Sequence, residues 1–421
     1  MNMHPSPSAL IVSNRNTLIT RTGASEYLVS FAKSLRQAGF DVSIAFIEEM
    51  PERMARLGTI EDYDAPFSCY EFFRAVKIGN RFYSTNPSRW IALLLRVTGL
   101  ARFLPKKSWY IGIEFKEPTP AALSWIGALM QELRPDLVIA NYFNSAGAFE
   151  HAPKHAAKAI LVHDILALRR ESFEAAGLEL DFELPQIQAE AARFKEADIC
   201  FAIKDEEKAF IEKVAPHTAA VTMPVTTEIP ATDLTAARGP VCIFVGDNNA
   251  CNRDGLKWFL AEVWPLIIGA RPDVRLHIAG RVGNIIPRPL PGGVTALGFV
   301  DDLAAAYAQA CVAITPLRTG SGVKIKLIEG LSYGLPSVAT SVGAEGIAPA
   351  PPEVLRIEDS AEGFATAVLD ALAAPDAAGR RQAAREFARE HYDQSRVGAD
   401  IIRGLVARGL IPSPAAAGAA G

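Results

Sequence analysis

The sequence predicts an α/β protein built from two doubly wound parallel sheets in tandem, and three observations carry that prediction. Its 421 residues exceed what one hydrophobic core usually organises, which favours two domains facing each other across a cleft. Short apolar runs alternate with segments of helical periodicity along most of the chain, the pattern of parallel strands with covering helices. The alternation breaks once, at VTMPVTTEIPATDLTAARGP (221–240), which is rich in Pro, Thr and small residues and has no helical period.

Each element follows in order. ALIVS (9–13) reads as a buried strand, GASEYLVSFAKSLRQAGF (23–40) as a helix stopping near Gly39, and DVSIAFI (41–47) as the next strand. DLVIA (136–140), AILVH (159–163) and DICFAI (198–203) continue the first half. Beyond the break come VCIFVG (241–246), a helix containing GLKWFLAEVWPLI, VRLHIAG (274–280), VTALGF (294–299) and a helix from about Asp302. CVAITPL (311–317), a helix through KIKLIEGLSYG, PSVAT (336–340) and VLRI (354–357) complete the second half. The expected division is a first domain over 1–225, a linker over 226–240, a second domain over 241–375, and C-terminal helices with a frayed tail over 376–421.

Composition excludes several classes. The net charge of -4 gives no whole-chain attraction to nucleic acid, which is not expected as a partner. Five scattered cysteines, with no C-x-x-C pair and no His at ligand spacing, argue against a zinc site or a disulfide scaffold and fit a reducing cytosol. MNMHPSPS lacks the basic start and apolar run of a signal peptide, and no stretch reaches the ~18 apolar residues of a membrane-spanning helix, so a cytoplasmic protein is expected.

In an open parallel sheet, ligands bind at the carboxyl ends of the strands. The corresponding loops of the second half are GDNNACNRDG (246–255), GRVGN (280–284), GFVDD (298–302) and PLRTGSGVK (316–324). The last is the most informative. Thr319, Gly320, Ser321 and Gly322 are small residues just before a helix, so backbone N–H groups can approach an anion that the helix dipole also favours. Lys324 and Lys326 fall in the expected first turns, where cations oppose the dipole unless an anion such as a diphosphate is bound. Glu329 is three residues beyond Lys326, and Gly322, Lys326 and Glu329 are expected on one helix face. The bland alternative, a turn followed by a solvated Lys–Glu pair, has comparable weight when the motif stands alone.

The run PLRTGSGVKIKLIEGLSYGLPSVATSVGAEGI resembles the donor-site signature of the GT-B glycosyltransferases of family 4, P-L-x-x-G-x-G-x-[KR]-x-K-x-x-E followed by G-x-P-x-V-x-T and G-x-E-G. VGDNNACNRDGLKWFLAEVWPLI resembles the opening of the same domain, so the likeness covers most of 240–347 and reaches the first half only in outline. The resemblance implies a GT-B fold of two Rossmann-like domains and retaining, metal-independent transfer of a sugar from a nucleoside-diphosphate sugar, with no further cofactor. It implies a glycan or a lipid-linked saccharide as acceptor.

Residue by residue, the resemblance gives Glu329 the second acid of an E-x7-E motif holding a hydroxyl of the bound nucleotide sugar, with Ser321 in place of the first acid and backbone N–H groups at Gly322 and Val323 as substitutes. It sets Gly246, Asn252, Arg253 and Arg281 near the diphosphate beside Lys326, and gives Lys324 the stabilisation of the departing diphosphate. In the first half it implies an acceptor-side glycine at Gly23 and an active-site role for His163 of LVHD, with less weight on Asp164. The rival readings are an epimerase of similar shape and a non-catalytic sugar-nucleotide-binding subunit, the latter suggested by Ser321. HAPKH (151–155) reads as surface, because its proline spoils a helical face, and Asp62-Tyr63-Asp64 reads as an acidic loop rather than a metal motif.

From Arg74 to Lys107 there are eight Lys or Arg and no Asp or Glu. Within this stretch, RWIALLLRVTGLARFLPKK combines Trp90, Leu94, Leu95, Val97 and Phe103 with arginines, as interfacial helices do. Two expectations stand side by side: an anionic membrane surface met through 74–107 at the inner face of the membrane, or a core helix whose arginines snorkel outward.

Overall fold

The computed structural model describes residues 6–14, 23–47, 56–59, 67–78, 81–98, 117–166, 187–230, 239–286, 289–300, 302–320, 322–373 and 377–412. They form two compact units. The first holds the described residues up to Pro224 together with those from Gly398 onward, and the second holds Val225–Val397.

The first unit contains β1 (Ser8–Ser13), β2 (Asp41–Phe46), β3 (Arg56–Thr59), β4 (Cys69–Phe72), β5 (Ala75–Ile78), β6 (Arg81–Ser84), β7 (Leu137–Asn141), β8 (Ala157–Leu161), β9 (Ile199–Ala202) and β10 (Ala219–Thr222). Seven strands form one parallel sheet in the order β10-β9-β8-β7-β1-β2-β4. Strands covered on both faces must be apolar at successive positions, which is why the expected strands read as continuous apolar runs. Ile11 pairs with Ile44 on one side and Ile139 on the other, and all three are fully buried.

The Gly23–Gln37 helix covers this sheet with Tyr27, Leu28, Phe31 and Leu35. Glu26 in its first turn and Arg36 in its last both complement the helix dipole. It ends where Gly39 takes a φ of 98° and the Phe40 N–H donates back to the Leu35 carbonyl.

The second unit contains β11 (Val241–Val245), β12 (Arg275–Ala279), β13 (Val294–Gly298), β14 (Val312–Thr315), β15 (Ser337–Ala339) and β16 (Leu355–Ile357). All pairs are parallel, in the order β13-β12-β11-β14-β15-β16. Two parallel α/β sheets, as expected, are therefore present. The helix expected around GLKWFLAEVWPLI is interrupted, with Ala250–Trp258 and Trp264–Ala270 flanking a wider turn at Phe259–Val263. Pro265 has no N–H to complete the ladder, and the Trp264 N–H bonds five residues back to Phe259.

The C-terminal helices, expected as one module over 376–421, divide between the units. Ala377–Tyr392 belongs to the second, as does Ala361–Ala373 before it, whereas Ala399–Ala407 packs on Gly23–Gln37 in the first. Glycine at 398 permits this return, since a Cβ there would lie 2.1 Å from Ser34 Oγ. Of the expected linker, 231–238 lies outside the described residues. Its start pairs with the returning chain, where Thr227 N–H donates to the Tyr392 carbonyl at 2.8 Å and Gln394 N–H to the Thr227 carbonyl at 2.9 Å.

The basic stretch contributes elements that the apolar pattern did not announce. β5 and β6 are antiparallel neighbours in a small sheet with β3, followed by the Pro87–Val97 helix. This helix is no core element on its described outer side, because Trp90, Ile91 and Leu94 are 42%, 58% and 63% exposed. Among the described residues no helix is long and apolar enough to cross a membrane.

Candidate functional site

In the second sheet the chain order reverses at β11, which lies between β12 and β14, and the carboxyl ends of β11 and β14 therefore flank a crevice. Four loops meet there. Gly246 ends the first strand, and Gly280, at φ 100°, approaches it so closely that a Cβ would stand 2.1 Å from the Gly246 carbonyl oxygen. Gly255 performs the same service for the helix that follows, since a Cβ there would be 2.3 Å from the Pro316 carbonyl. Bulkier residues would push the strand ends and loops apart.

Asn252 ties the loops together. Its backbone N–H is capped by Asn249 Oδ1 at 2.9 Å, its amide nitrogen donates to the Asp247 carbonyl at 2.8 Å, and its side-chain oxygen accepts from Lys326 Nζ. Arg253 points back to Asn248, donating to the side-chain oxygen at 3.2 Å, and so braces the loop. Arg281 opens a short 3-10 turn, Arg281–Ile285, and makes a two-pronged ion pair with Asp247, with both contacts at 2.6 Å. That pair holds the Asp247 carboxyl below the usual carboxylate range, chiefly through the Arg281 hydrogen bond.

The loop needs its glycines, with Gly320 at φ 115° and Gly322 at φ 75°, conformations that residues with a Cβ rarely adopt. Ser321 lies outside the described residues, and Val323 is half-buried in the loop. The helix then runs Ile325–Ser332 with Lys324 as its N-cap. Gly322 therefore precedes the helix rather than sharing a face with Lys326 and Glu329, because the loop enters too extended to continue the helical turn. Lys324 is nearly buried; its Nζ donates to the Gly322 carbonyl at 2.5 Å and lies 3.6 Å from Glu345 Oε2.

Lys326 sits with its ammonium 4.6 Å from the centre of the Phe244 ring. Burial, and then the neighbouring Lys324 charge, pull its pKa down to about 7 against the opposing pull of Glu329 and Cys251. Two lysines thus stand beside a helix N-terminus, concentrating positive charge there. Glu329, three residues on, accepts from the Tyr307 hydroxyl at 3.2 Å. Tyr307 is fully buried and stacks on Tyr333 with ring centres 4.8 Å apart. Burial and the Glu329 charge push the Tyr307 hydroxyl pKa up, so it stays a proton donor.

In the first sheet the reversal falls at β1, between β2 and β7. His163 stands two residues past β8, and its Nε2 is 2.6 Å from the Asn141 side-chain oxygen at the end of β7. The Tyr142 ring stacks on the imidazole at 4.0 Å, and Tyr27 meets it edge-on at 5.0 Å. Tyr142 has a φ of 67°, an unusual conformation for a residue with a side chain, and such outliers gather at functional sites. Asp164 is buried beside His163, and Gly23 is the exposed first residue of its helix.

Asn141, Tyr142, Tyr27, Asp247 and Phe244 were not singled out in the sequence. Strand-end position marked Asn141 and Asp247 in principle; nothing local marked Tyr27 or Tyr142. Among the described residues no group of three or more His, Cys, Asp or Glu is placed to hold a metal, and Asp62–Asp64 lies outside them.

Residues 239–374 match the family described as Glycosyl transferases group 1. A segment of 165 residues, 36% of the chain, is 29% identical to a protein of Klebsiella pneumoniae described as an uncharacterized 44.6 kDa protein in the cps region, and the match spans 42% of that relative's length. Sucrose-phosphate synthase from Thermosynechococcus elongatus superposes with a TM-score of 0.66 at 18% identity, covering 96% of this chain and 99% of that one. The pneumococcal O-GlcNAc transferase GtfA, in complex with UDP and GlcNAc, superposes with a TM-score of 0.66 at 13% identity, covering 97% and 100%. The chain thus has the fold of the GT-B glycosyltransferases and carries a Glycosyl transferases group 1 domain over residues 239–374.

Proposed function

We propose that this protein is a retaining glycosyltransferase that moves a sugar from a nucleoside-diphosphate sugar to a hydroxyl of a glycan or lipid-linked saccharide in polysaccharide or glycoconjugate synthesis. The observation that carries this reading is the pair Lys324 and Lys326, the first buried and the second half-buried, at the N-terminus of Ile325–Ser332 behind a loop with two left-handed glycines. Their mutual repulsion lowers the Lys326 pKa, and a bound anion at this helix N-terminus would relieve it in addition to Glu345 and Glu329. GtfA, which has the same fold, was solved with UDP, a diphosphate and so an anion of this kind.

In this reading Arg281, Lys324, Lys326 and the free N–H groups of the helix stabilise the diphosphate as the bond to the anomeric carbon breaks. Gly246, Asn252 and Arg253 shape the loop around it, while Glu329 with Tyr307 behind it holds a hydroxyl of the nucleotide sugar. Ser321 stands where the family usually has an acid, and backbone N–H groups at Gly322 and Val323 take over that contact. His163 and Gly23 belong to the acceptor unit, and no metal takes part in the transfer.

The location that goes with this reading is the cytoplasmic side of a membrane, with the 74–107 stretch meeting anionic lipid. Val76 and Ile78 on β5 and Trp90, Ile91 and Leu94 on Pro87–Val97 are exposed in a stretch holding eight cations and no acid. Co-sedimentation with anionic liposomes is expected for the parent protein and not for a variant with Trp90, Ile91 and Leu94 changed to Ser.

The deciding experiment is a thermal-shift screen of UDP-, GDP- and ADP-sugars followed by a transfer or hydrolysis assay with the best ligand. A rise in melting temperature that Lys324→Ala and Glu329→Ala each abolish, together with loss of turnover, is the expected result. Full activity in both variants would overturn the site.

A further inference from the structure

We infer that Asn141 is a positioning residue, which holds His163 in the tautomer that carries its proton on Nε2. The argument starts from the sheet. Asn141 is the last residue of β7, is fully buried, and has its backbone locked by pairing to β1 and β8. Its side-chain nitrogen donates to Ser13 Oγ at 2.9 Å, and its backbone carbonyl accepts from Ser145 Oγ at 2.9 Å. With the amide nitrogen turned to Ser13, the atom presented to the imidazole is the amide oxygen, which only accepts. The 2.6 Å contact therefore requires a proton on His163 Nε2, and in the neutral ring this makes Nδ1 the basic nitrogen.

The rest of the surround removes the ring's freedom to flip and present Nδ1 to Asn141 in place of Nε2. Tyr142 lies flat against one face, with planes within 9°, and Tyr27 closes another side nearly perpendicular, at 86°. Tyr27 is itself pinned by its hydroxyl, which donates to the Met223 carbonyl at 2.8 Å. A φ of 67° at Tyr142 is the cost of swinging that ring over the imidazole immediately after the strand ends. Asn141, Tyr142 and Tyr27 come from two elements and act on one side chain. Such convergence suits a ring whose orientation matters, and it follows from the geometry whether or not the ring meets a sugar.

The consequence for transfer rests on the proposed function; the tautomer does not, and the experiment keeps the two apart. The full-length protein, labelled with 15N-histidine, gives ring spectra in which His163 is identified by its loss in His163→Asn. The parent is expected to show a protonated Nε2 and a bare Nδ1. Asn141→Asp keeps the acceptor and adds a charge, so Nε2 stays protonated and the ring's titration midpoint rises by about one unit or more. Asn141→Leu averages the two tautomers. In the transfer assay it lowers kcat by about 10-fold or more, the scale on which a misoriented imidazole acts, with unchanged affinity for UDP.

A proton on Nδ1 with a bare Nε2 in the parent, or an unmoved midpoint in Asn141→Asp, overturns the inference. So does a kcat in Asn141→Leu equal to the parent's. If the parent transfers no sugar at all, the proposed function falls while the ring spectra still decide the tautomer.

Discussion

Arg281 grips Asp247 through two parallel hydrogen bonds of 2.6 Å, Nε to Oδ1 and Nη2 to Oδ2. Both side chains are about half exposed, so the pair adds little to stability and its importance is electrostatic. If a diphosphate binds as proposed, Asp247 competes with it for the guanidinium. Asp247→Asn is expected to tighten UDP about two- to five-fold, and Arg281→Ala to weaken it about tenfold, within the range of single exposed charge contacts. Isothermal titration at fixed ionic strength checks both, and equal affinities would remove Arg281 from the site.

The lowered pKa of Lys326, about 7, gives affinity for the nucleotide sugar a pH dependence of definite sign. Only the protonated ammonium attracts a diphosphate, so apparent affinity is expected to fall as pH rises above about 7, by up to about 10-fold per unit. The unliganded protein should do the opposite. Between the folded value and the ordinary lysine value the unfolded chain binds the extra proton, so stability rises with pH across that window from this group. UDP titrations and melting curves from pH 6 to pH 9 test the pair of trends. Lys326→Met should flatten both.

Gly280→Ala should be the most damaging of the small changes at the site. The new methyl would meet the Gly246 carbonyl on a backbone whose φ of 100° already disfavours it, so β11 and β12 must part at their carboxyl ends. A loss of about 2 kcal/mol or more in unfolding free energy, measured by urea denaturation, is expected. Loss of UDP binding should accompany it. Gly269→Ala, with nothing within 4 Å of its Cβ, serves as the control and should be neutral or stabilising.

Tyr307→Phe removes the hydroxyl that donates to Glu329 while keeping the ring stacked on Tyr333. The expected stability loss is about 1 kcal/mol, the net value of one hydrogen bond, whereas KM for the nucleotide sugar should rise severalfold as Glu329 loses its fixed orientation. An unchanged KM with the expected stability loss would confine Tyr307 to the core.

Most strands could be read directly because parallel strands covered on both faces must be apolar throughout, and VCIFV or DLVIA admits few other readings. The small antiparallel sheet of β3, β5 and β6 was not legible. Its strands are only four residues long and carry Arg, Lys and Tyr, so no apolar alternation betrays them. The C-terminal helices were recognisable as helices, yet their division between the units depends on Gly398 meeting Ser34, a contact between residues 364 positions apart.

The same boundary runs through the site. By itself the sequence determined the glycine loop, the order Lys324, Lys326, Glu329 and the strand-end position of His163, because these are local matters of spacing, backbone freedom and helix starts. Only the tertiary structure decided that Lys326 lies over Phe244 and bonds Asn252, that Arg281 is held by Asp247, and that Asn141, Tyr142 and Tyr27 close around His163. Those contacts join residues from separate strand ends, and parallel sheets bring such ends together only after long crossovers that leave no periodic trace in the chain.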